Sequence, residues 1–263
     1  MTLRFSANLG MMWAPLPLLD RISAAAAAGF KAIELHWPYE TPALAVKTAC
    51  EQHHMRLLSV NTPVGDASRG DSGLAAQPGR EVAFRAAFTE SLQWAIESQA
   101  GMIHVLPGML PVDAKDHSQS RDIFLKNLEW ASNQAQAHGI TILLEALNPR
   151  DKPGYFYRYQ AQSNEIRQAV GRDNIKLMFD VYHVGVSEGD ILMKLEQYLP
   201  HIGHIQIASV PMRAEPDEGE VRYEAVFKRL EALGYSGWIG CEYMPRGDAT
   251  KGLQWLPSMG LTL

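Results

Sequence analysis

Cysteine is scarce in this chain: only Cys50 and Cys241 occur, far apart in sequence and without metal-ligand spacing. That excludes a disulfide framework and a cysteine-based zinc site, and it suits free buried thiols in a reducing compartment. Long apolar runs are missing too, since none approaches the roughly 20 residues needed to span a bilayer. The opening segment MTLRFSANLGMMWAP has no basic leader, continuous apolar stretch and small-residue cleavage site, so it reads as a first strand and not as a signal peptide. A cytoplasmic protein without a membrane partner is the expectation. Positive charge is in deficit, with a formal net charge of -5, and nothing in that balance favours nucleic acid as a partner. The glycine-containing turns, GFKAIE among them, form no dinucleotide fingerprint, so no organic cofactor is expected.

What is present is a long, regular alternation. The 263 residues, 46% of them hydrophobic and 20% charged, suffice for one large domain over 1–263. Strand candidates fall at Leu3–Leu9, Lys31–Leu35, Arg56–Val60, Met102–Leu106, the stretch from Ile140 to Glu145, Ile175–Phe179, His204–Ile207 and Trp238–Cys241. Helical patterns separate them, including Leu16–Ala28, Phe84–Gln99, Ile123–His138, Glu165–Val170, Glu188–Tyr198 and Tyr223–Leu233, with a short closing helix at Gly252–Leu256. Gly65–Arg80 is the longest punctuated stretch, read as an ordered active-site loop with a mobile insertion as the rival. Eight strands alternating with helices predict an α/β fold, a single (β/α)8 TIM barrel; an open doubly wound sheet is the architectural alternative.

Polar residues recur where the strands end. Glu145 closes the apolar run ITILL, and Asp180, Gln206 and Glu242 stand at comparable points, 35, 26 and 36 residues apart in succession. One such residue is commonly a loop cap or an ion-pair partner. Four at the spacing of successive β/α units would meet at one mouth of a barrel. Three carboxylates and an amide oxygen make a hard donor set suited to Mg²⁺ or Mn²⁺, with Zn²⁺ the alternative. Arg213, in PMRAEP, is the candidate partner for a substrate carboxylate, because a guanidinium can grip one bidentately. His183 and His204 are candidates to bind or polarise reacting oxygens, a structural role being the plainer reading of both. Trp13, Trp37 and Tyr182 are candidate pocket-wall residues.

Several motifs carry a family likeness: ANLGMM near the start, PGRE at Pro78–Glu81, LLEALN, FDVYH, GHIQIA, GEVRY, and CEY followed by PR. Together they resemble the hydroxypyruvate isomerases and the closely similar 2-oxo-tetronate isomerases, within a wider group of sugar isomerases and epimerases. The resemblance implies a metal held by Glu145, Asp180, Gln206 and Glu242, with Glu145 and Glu242 also exchanging protons with substrate. It further implies a small acidic hydroxy-keto substrate, hydroxypyruvate being interconverted with tartronate semialdehyde through an enediolate. HWPY at His36–Tyr39 and NPRDKPGY at Asn148–Tyr155 depart from the family's usual wording in loops expected to line the mouth, which makes 2-oxo-tetronate a credible substrate. The rivals are a ketose 3-epimerase, a nuclease, and a noncatalytic sugar-acid binding protein. A homodimer is the default assembly.

Overall fold

The computed structural model describes residues 2–110 and 117–263. Its strands are β1 (Arg4–Asn8), β2 (Ala32–Glu34), β3 (Arg56–Leu57), β4 (Ser59–Asn61), β5 (Met102–His104), β6 (Thr141–Glu145), β7 (Ile175–Asp180), β8 (Ile202–Ile207) and β9 (Trp238–Cys241). All pair in parallel, in the order β3-β2-β1-β9-β8-β7-β6-β5-β4. The two ends of that order belong to one stretch of chain, because only Leu58 separates β3 from β4. Its N–H donates to the Ile33 carbonyl (2.8 Å) and its own carbonyl accepts from Gly101 N–H (3.1 Å). The sheet therefore closes on itself. Nine segments make the eight strands of a barrel, the third one interrupted, and closure excludes the open doubly wound alternative.

The helices are α1 (Leu18–Ala27), α2 (Ala43–Gln52), α3 (Glu81–Ser98), α4 (Ser118–Gln136), α5 (Gln160–Val170), α6 (Val181–Ser187), α7 (Ile191–Tyr198), α8 (Tyr223–Ala232), α9 (Ala249–Gly252) and α10 (Trp255–Ser258). Three differ instructively from the sequence expectation. α5 begins at Gln160 and not Glu165, because Gln162 Oε1 accepts from Arg158 and Tyr159 N–H while Glu188 Oε1 accepts from Gln160 N–H. The polar run QAQSN shows no apolar period that would announce such a start. α6 has no counterpart among the helical patterns of the sequence; Asp180 Oδ1 accepts from Tyr182 N–H (2.8 Å) and so caps it directly. α7 then starts at Ile191 instead of Glu188, whose carboxylate is engaged with Gln160 and with Lys194.

Register decides which side chains meet. Partners in register share a face of a parallel sheet, as do residues two apart along a strand. Asn8 pairs with Glu34, Asn61 with His104, Glu145 with Met178, Met178 with His204, and Asp180 with Gln206. These positions form the inner face. The outer face carries Phe5, Ile33, Val60, Ile142, Leu177, Ile205 and Ile239, all buried, and it packs on the helices: Phe5 meets Phe227 of α8 and Trp255 of α10 edge-on at 5.6 and 5.4 Å. Strands that look almost continuously apolar in the sequence thus alternate in space, apolar outward and polar inward. Burying each outward side chain stabilises by roughly 1.5–3 kcal/mol.

The stretch from Gly65 to Arg80 is an ordered wall. Gly73 bridges Pro107, Ala75 and Ala76 N–H donate to the carbonyls of Leu106 and Pro107, and Leu74, Ala75 and Ala76 are buried. The closing segment is two short helices, α9 and α10, where one was expected.

Candidate functional site

Glu145 is the last residue of β6, Asp180 the last of β7, Gln206 the penultimate of β8, and Glu242 follows β9. All four are buried at the carboxyl end of the barrel. Their hydrogen bonding is uneven. Glu242 is the well-partnered one: Oε1 accepts from Asn8 Nδ2 (2.9 Å) and bonds His36 Nε2 (2.8 Å), while Oε2 accepts from Arg213 Nη2 (2.7 Å) and keeps acceptor capacity. Glu145 Oε1, Asp180 Oδ2 and Gln206 Oε1 are buried with no hydrogen-bond partner among the described residues. A buried acceptor left without a donor costs about 1–3 kcal/mol. Three of them on three consecutive strands is a pattern that a cation relieves, and a divalent ion fits this donor set.

His183 lies in the same cluster: Glu145, Asp180 and His183 offer ligand atoms within 4.8 Å of one another. Its Nδ1, however, accepts from Asn148 N–H (3.1 Å) and from the Asn148 side-chain amide (2.7 Å). Nε2 then carries the proton and points toward Asp180 Oδ2 (3.5 Å) and Glu145 Oε1 (3.9 Å). The ring is therefore set to donate to an oxygen, which suits a substrate contact better than coordination. His204, for which a structural role is the plainer expectation and a contact with a reacting oxygen the alternative, has its Nε2 bonded to Glu34 Oε2 (3.0 Å) one layer below, in keeping with the structural role.

Electrostatics split the carboxylates. Burial lifts Glu145 well above the ordinary carboxylate range, and the negative charges of Glu242 and Asp180 add to it. Asp180 is pushed up to about 7, by burial first and then by Glu242. Burial acts in the same sense on Glu242, but the Arg213 guanidinium and the His36 hydrogen bond outweigh it and hold that carboxyl far below its usual range. His104, whose Nδ1 is 3.5 Å from Glu145 Oε2, is lowered to about 4, and His183 to about 3, both chiefly by burial. Both rings are neutral donors or acceptors at pH 7.

A cavity of about 450 Å³ opens above these groups, with Trp37, Leu106, Tyr155, Lys152 and Met244 in its wall. Arg213 reaches into it from the loop after β8, its backbone in the left-handed region (φ 53°) and its guanidinium 4.9 Å over the Tyr182 ring. Asp151 Oδ2 lies 3.7 Å from its Nη1, and its Nε is buried without a hydrogen-bond partner among the described residues. A non-glycine residue held at positive φ beside a cavity is backbone strain of the kind found at binding sites. Of the aromatic candidates, Trp37 lines the cavity and Tyr182 stacks beneath Arg213, whereas Trp13 packs against Phe30.

Asn8, Glu34 and His104 are not among the candidates read from the sequence, whereas His36 and Tyr155 lie in the two loops expected to line the mouth. Glu34 had a weaker form of the signal that singled out Glu145, a carboxylate after the apolar pair Ala32-Ile33 in a strand candidate. Tyr155 lies in the NPRDKPGY loop expected to line the mouth, and it does so: its hydroxyl is buried in the cavity wall without a hydrogen-bond partner among the described residues.

The family model of the xylose isomerase-like TIM barrels matches residues 22–259. The chain belongs to that family and, within it, to the isomerases named for hydroxypyruvate and 2-oxo-tetronate. It is 45% identical to a 2-oxo-tetronate isomerase from Cupriavidus necator, over 98% of this chain and 99% of that one. It is 34% identical to the hydroxypyruvate isomerase of Escherichia coli, over 97% and 98%. A Brucella melitensis crystal structure described as an AP endonuclease of family 2 superposes with a TM-score of 0.94 at 37% identity, covering 98% of this chain and 99% of that one. The chain is an enzyme of the isomerase class.

Proposed function

We propose that this isomerase depends on a divalent metal and interconverts hydroxypyruvate and tartronate semialdehyde. The observation that carries the reading is the trio of acceptors at the ends of three consecutive strands, Glu145 Oε1, Asp180 Oδ2 and Gln206 Oε1, which have no hydrogen-bond partner among the described residues, with Glu145, Glu242 and Arg213 lining one cavity. The four oxygen-bearing side chains would hold Mg²⁺ or Mn²⁺. His183, committed through Nδ1 to Asn148, leaves the donor set all-oxygen, which weighs against Zn²⁺. A cation there would supply electrostatic stabilisation to the oxygen charge that develops as the enediolate forms.

The chain's own groups account for the rest. One of Glu145 and Glu242 takes a proton from C3 of hydroxypyruvate and the other returns one to C2; the hydroxyl proton passes from O3 to O2, so atoms and charge balance. His183, with Nε2–H aimed toward Glu145 and Asp180, is placed to donate to a reacting oxygen. Arg213 has a free Nε–H for the substrate carboxylate. Trp37, Leu106 and Met244 keep water from the reactive intermediate. Free, buried Cys50 and Cys241 support a reducing, cytoplasmic setting.

The second reading is 2-oxo-tetronate, favoured by the higher identity to the Cupriavidus necator relative. Its chemistry is the same C3-to-C2 proton shift, with a hydroxymethyl group added on C3. The nuclease reading has little to stand on: among the described residues, Glu145, Asp180 and His183 are the only cluster of three or more acidic, histidine or cysteine ligands. The test is to compare kcat/KM for the two acids with the Mn²⁺-restored enzyme and with Glu145→Gln and Glu242→Gln. At least one acid should turn over, and each variant should lose roughly 100-fold or more. Parent-like rates in either variant, or no turnover of either acid, would refute the proposal.

A further inference from the structure

Below the candidate metal site, on the inner face of the barrel, lies a buried polar group that the chemistry above does not use. Glu34, the last residue of β2, is fully enclosed. Its Oε2 accepts from Gln206 Nε2 (2.8 Å) and bonds His204 Nε2 (3.0 Å); its Oε1 accepts from Ser6 Oγ (3.3 Å). The facing strand makes room for it. Gly240 is the register partner of both Ser6 and Gln206, and a Cβ there would land on Glu34 Oε1 and stand 3.0 Å from His204 Nε2.

This arrangement settles the orientation of an amide. A primary amide presents a donor end and an acceptor end of nearly the same shape, and its environment selects between them. A carboxylate only accepts. With Glu34 on one side, the Gln206 NH₂ must face it, since the swapped amide would set oxygen against oxygen. Gln206 Oε1 is thereby turned the other way, where it is buried and partnerless beside its register partner Asp180.

We propose that Glu34 is a positioning residue, which locks the Gln206 amide with its oxygen facing the cation site and so governs metal affinity without touching the metal. The inference rests on the metal reading given above. It predicts that an amide in place of the carboxylate, which can donate as well as accept, releases the lock.

The test titrates metal-stripped, full-length protein with Mn²⁺ alone, following free Mn²⁺ by electron paramagnetic resonance. Glu34→Gln is measured in the parent and in a Gln206→Leu background, after thermal unfolding has established that each variant folds. In the parent, Glu34→Gln should weaken Mn²⁺ binding by roughly 10- to 100-fold. In Gln206→Leu it should cost less than about threefold more, because the residue through which it acts is gone. Should Glu34→Gln fail to fold, Glu34→Asp takes its place, drawing the acceptor back by one methylene, with about tenfold weaker binding expected. Unchanged Mn²⁺ affinity in the parent background, or an equal loss in both backgrounds, overturns the role of Glu34 alone. A parent that takes up no Mn²⁺ overturns the metal reading and this inference with it.

Discussion

Arg213 is the cationic side chain that touches Glu242, and it also lies 3.8 Å from Asp180 Oδ2. It therefore does two things of opposite sign: it offers Nε–H to an acidic substrate, and its charge opposes any cation bound nearby. Arg213→Ala should lower kcat/KM for hydroxypyruvate by roughly 10- to 100-fold, the worth of a charged hydrogen bond, while Mn²⁺ binds as tightly as in the parent or more tightly. Parallel losses of turnover and Mn²⁺ affinity would contradict that division. Glu145 and Asp180 were legible in the sequence because a carboxylate that ends an apolar run must find a partner. Glu34 follows only the apolar pair Ala32-Ile33 and went unread. His204 illustrates the limit of the method: whether a strand residue faces a cavity or a neighbour beneath it depends on register, which single-strand patterns do not contain.

Among the elements, the eightfold alternation was readable throughout, since glycine turns and apolar runs mark nearly every strand. The break at Leu58 was not, because ladder continuity is a property of three strands at once. Nor was α6, whose start is set by the Asp180 side chain capping Tyr182 N–H. The wall from Gly65 to Arg80 depends on Gly73, at φ 120°, where a Cβ would strike the Leu106 carbonyl. Gly73→Ala should cost about 1–3 kcal/mol and lower the Tm by roughly 2–10 °C for a chain of this size. It should also raise KM, because the adjacent Ser72 lines the cavity and accepts from Lys152 Nζ at 3.3 Å. Circular dichroism melts and steady-state kinetics read both, and an unchanged Tm would argue against the wall as described.

Across the whole molecule, the barrel gathers acidic groups at one end, where burial raises the pKa of Glu145 and Asp180. Asp180, raised from the ordinary value of 3.8 to about 7, contributes stability to the metal-free protein that is complete below pH 4 and is lost as pH rises through 7. A cation that binds the ionised site recovers it. The rise in Tm on adding Mn²⁺ should therefore grow between pH 5.5 and 8, and calorimetry in buffers of different ionisation enthalpy should show proton release on binding that shrinks over the same interval. A pH-independent rise would mean that Asp180 is already ionised without metal. Among the described residues no helix is long and apolar enough to cross a membrane. The central claim is that Glu145, Asp180, Gln206 and Glu242 hold a divalent cation that makes carbon acid chemistry possible in this mouth. The most direct measurement is ¹H NMR of hydroxypyruvate in D₂O with metal-stripped enzyme, before and after restoring Mg²⁺. Tartronate semialdehyde carrying deuterium at C2, formed only with metal and lost in Glu145→Gln, is the expected result; the same product at the same rate from the stripped enzyme, or no product and no exchange under any metal, would contradict it.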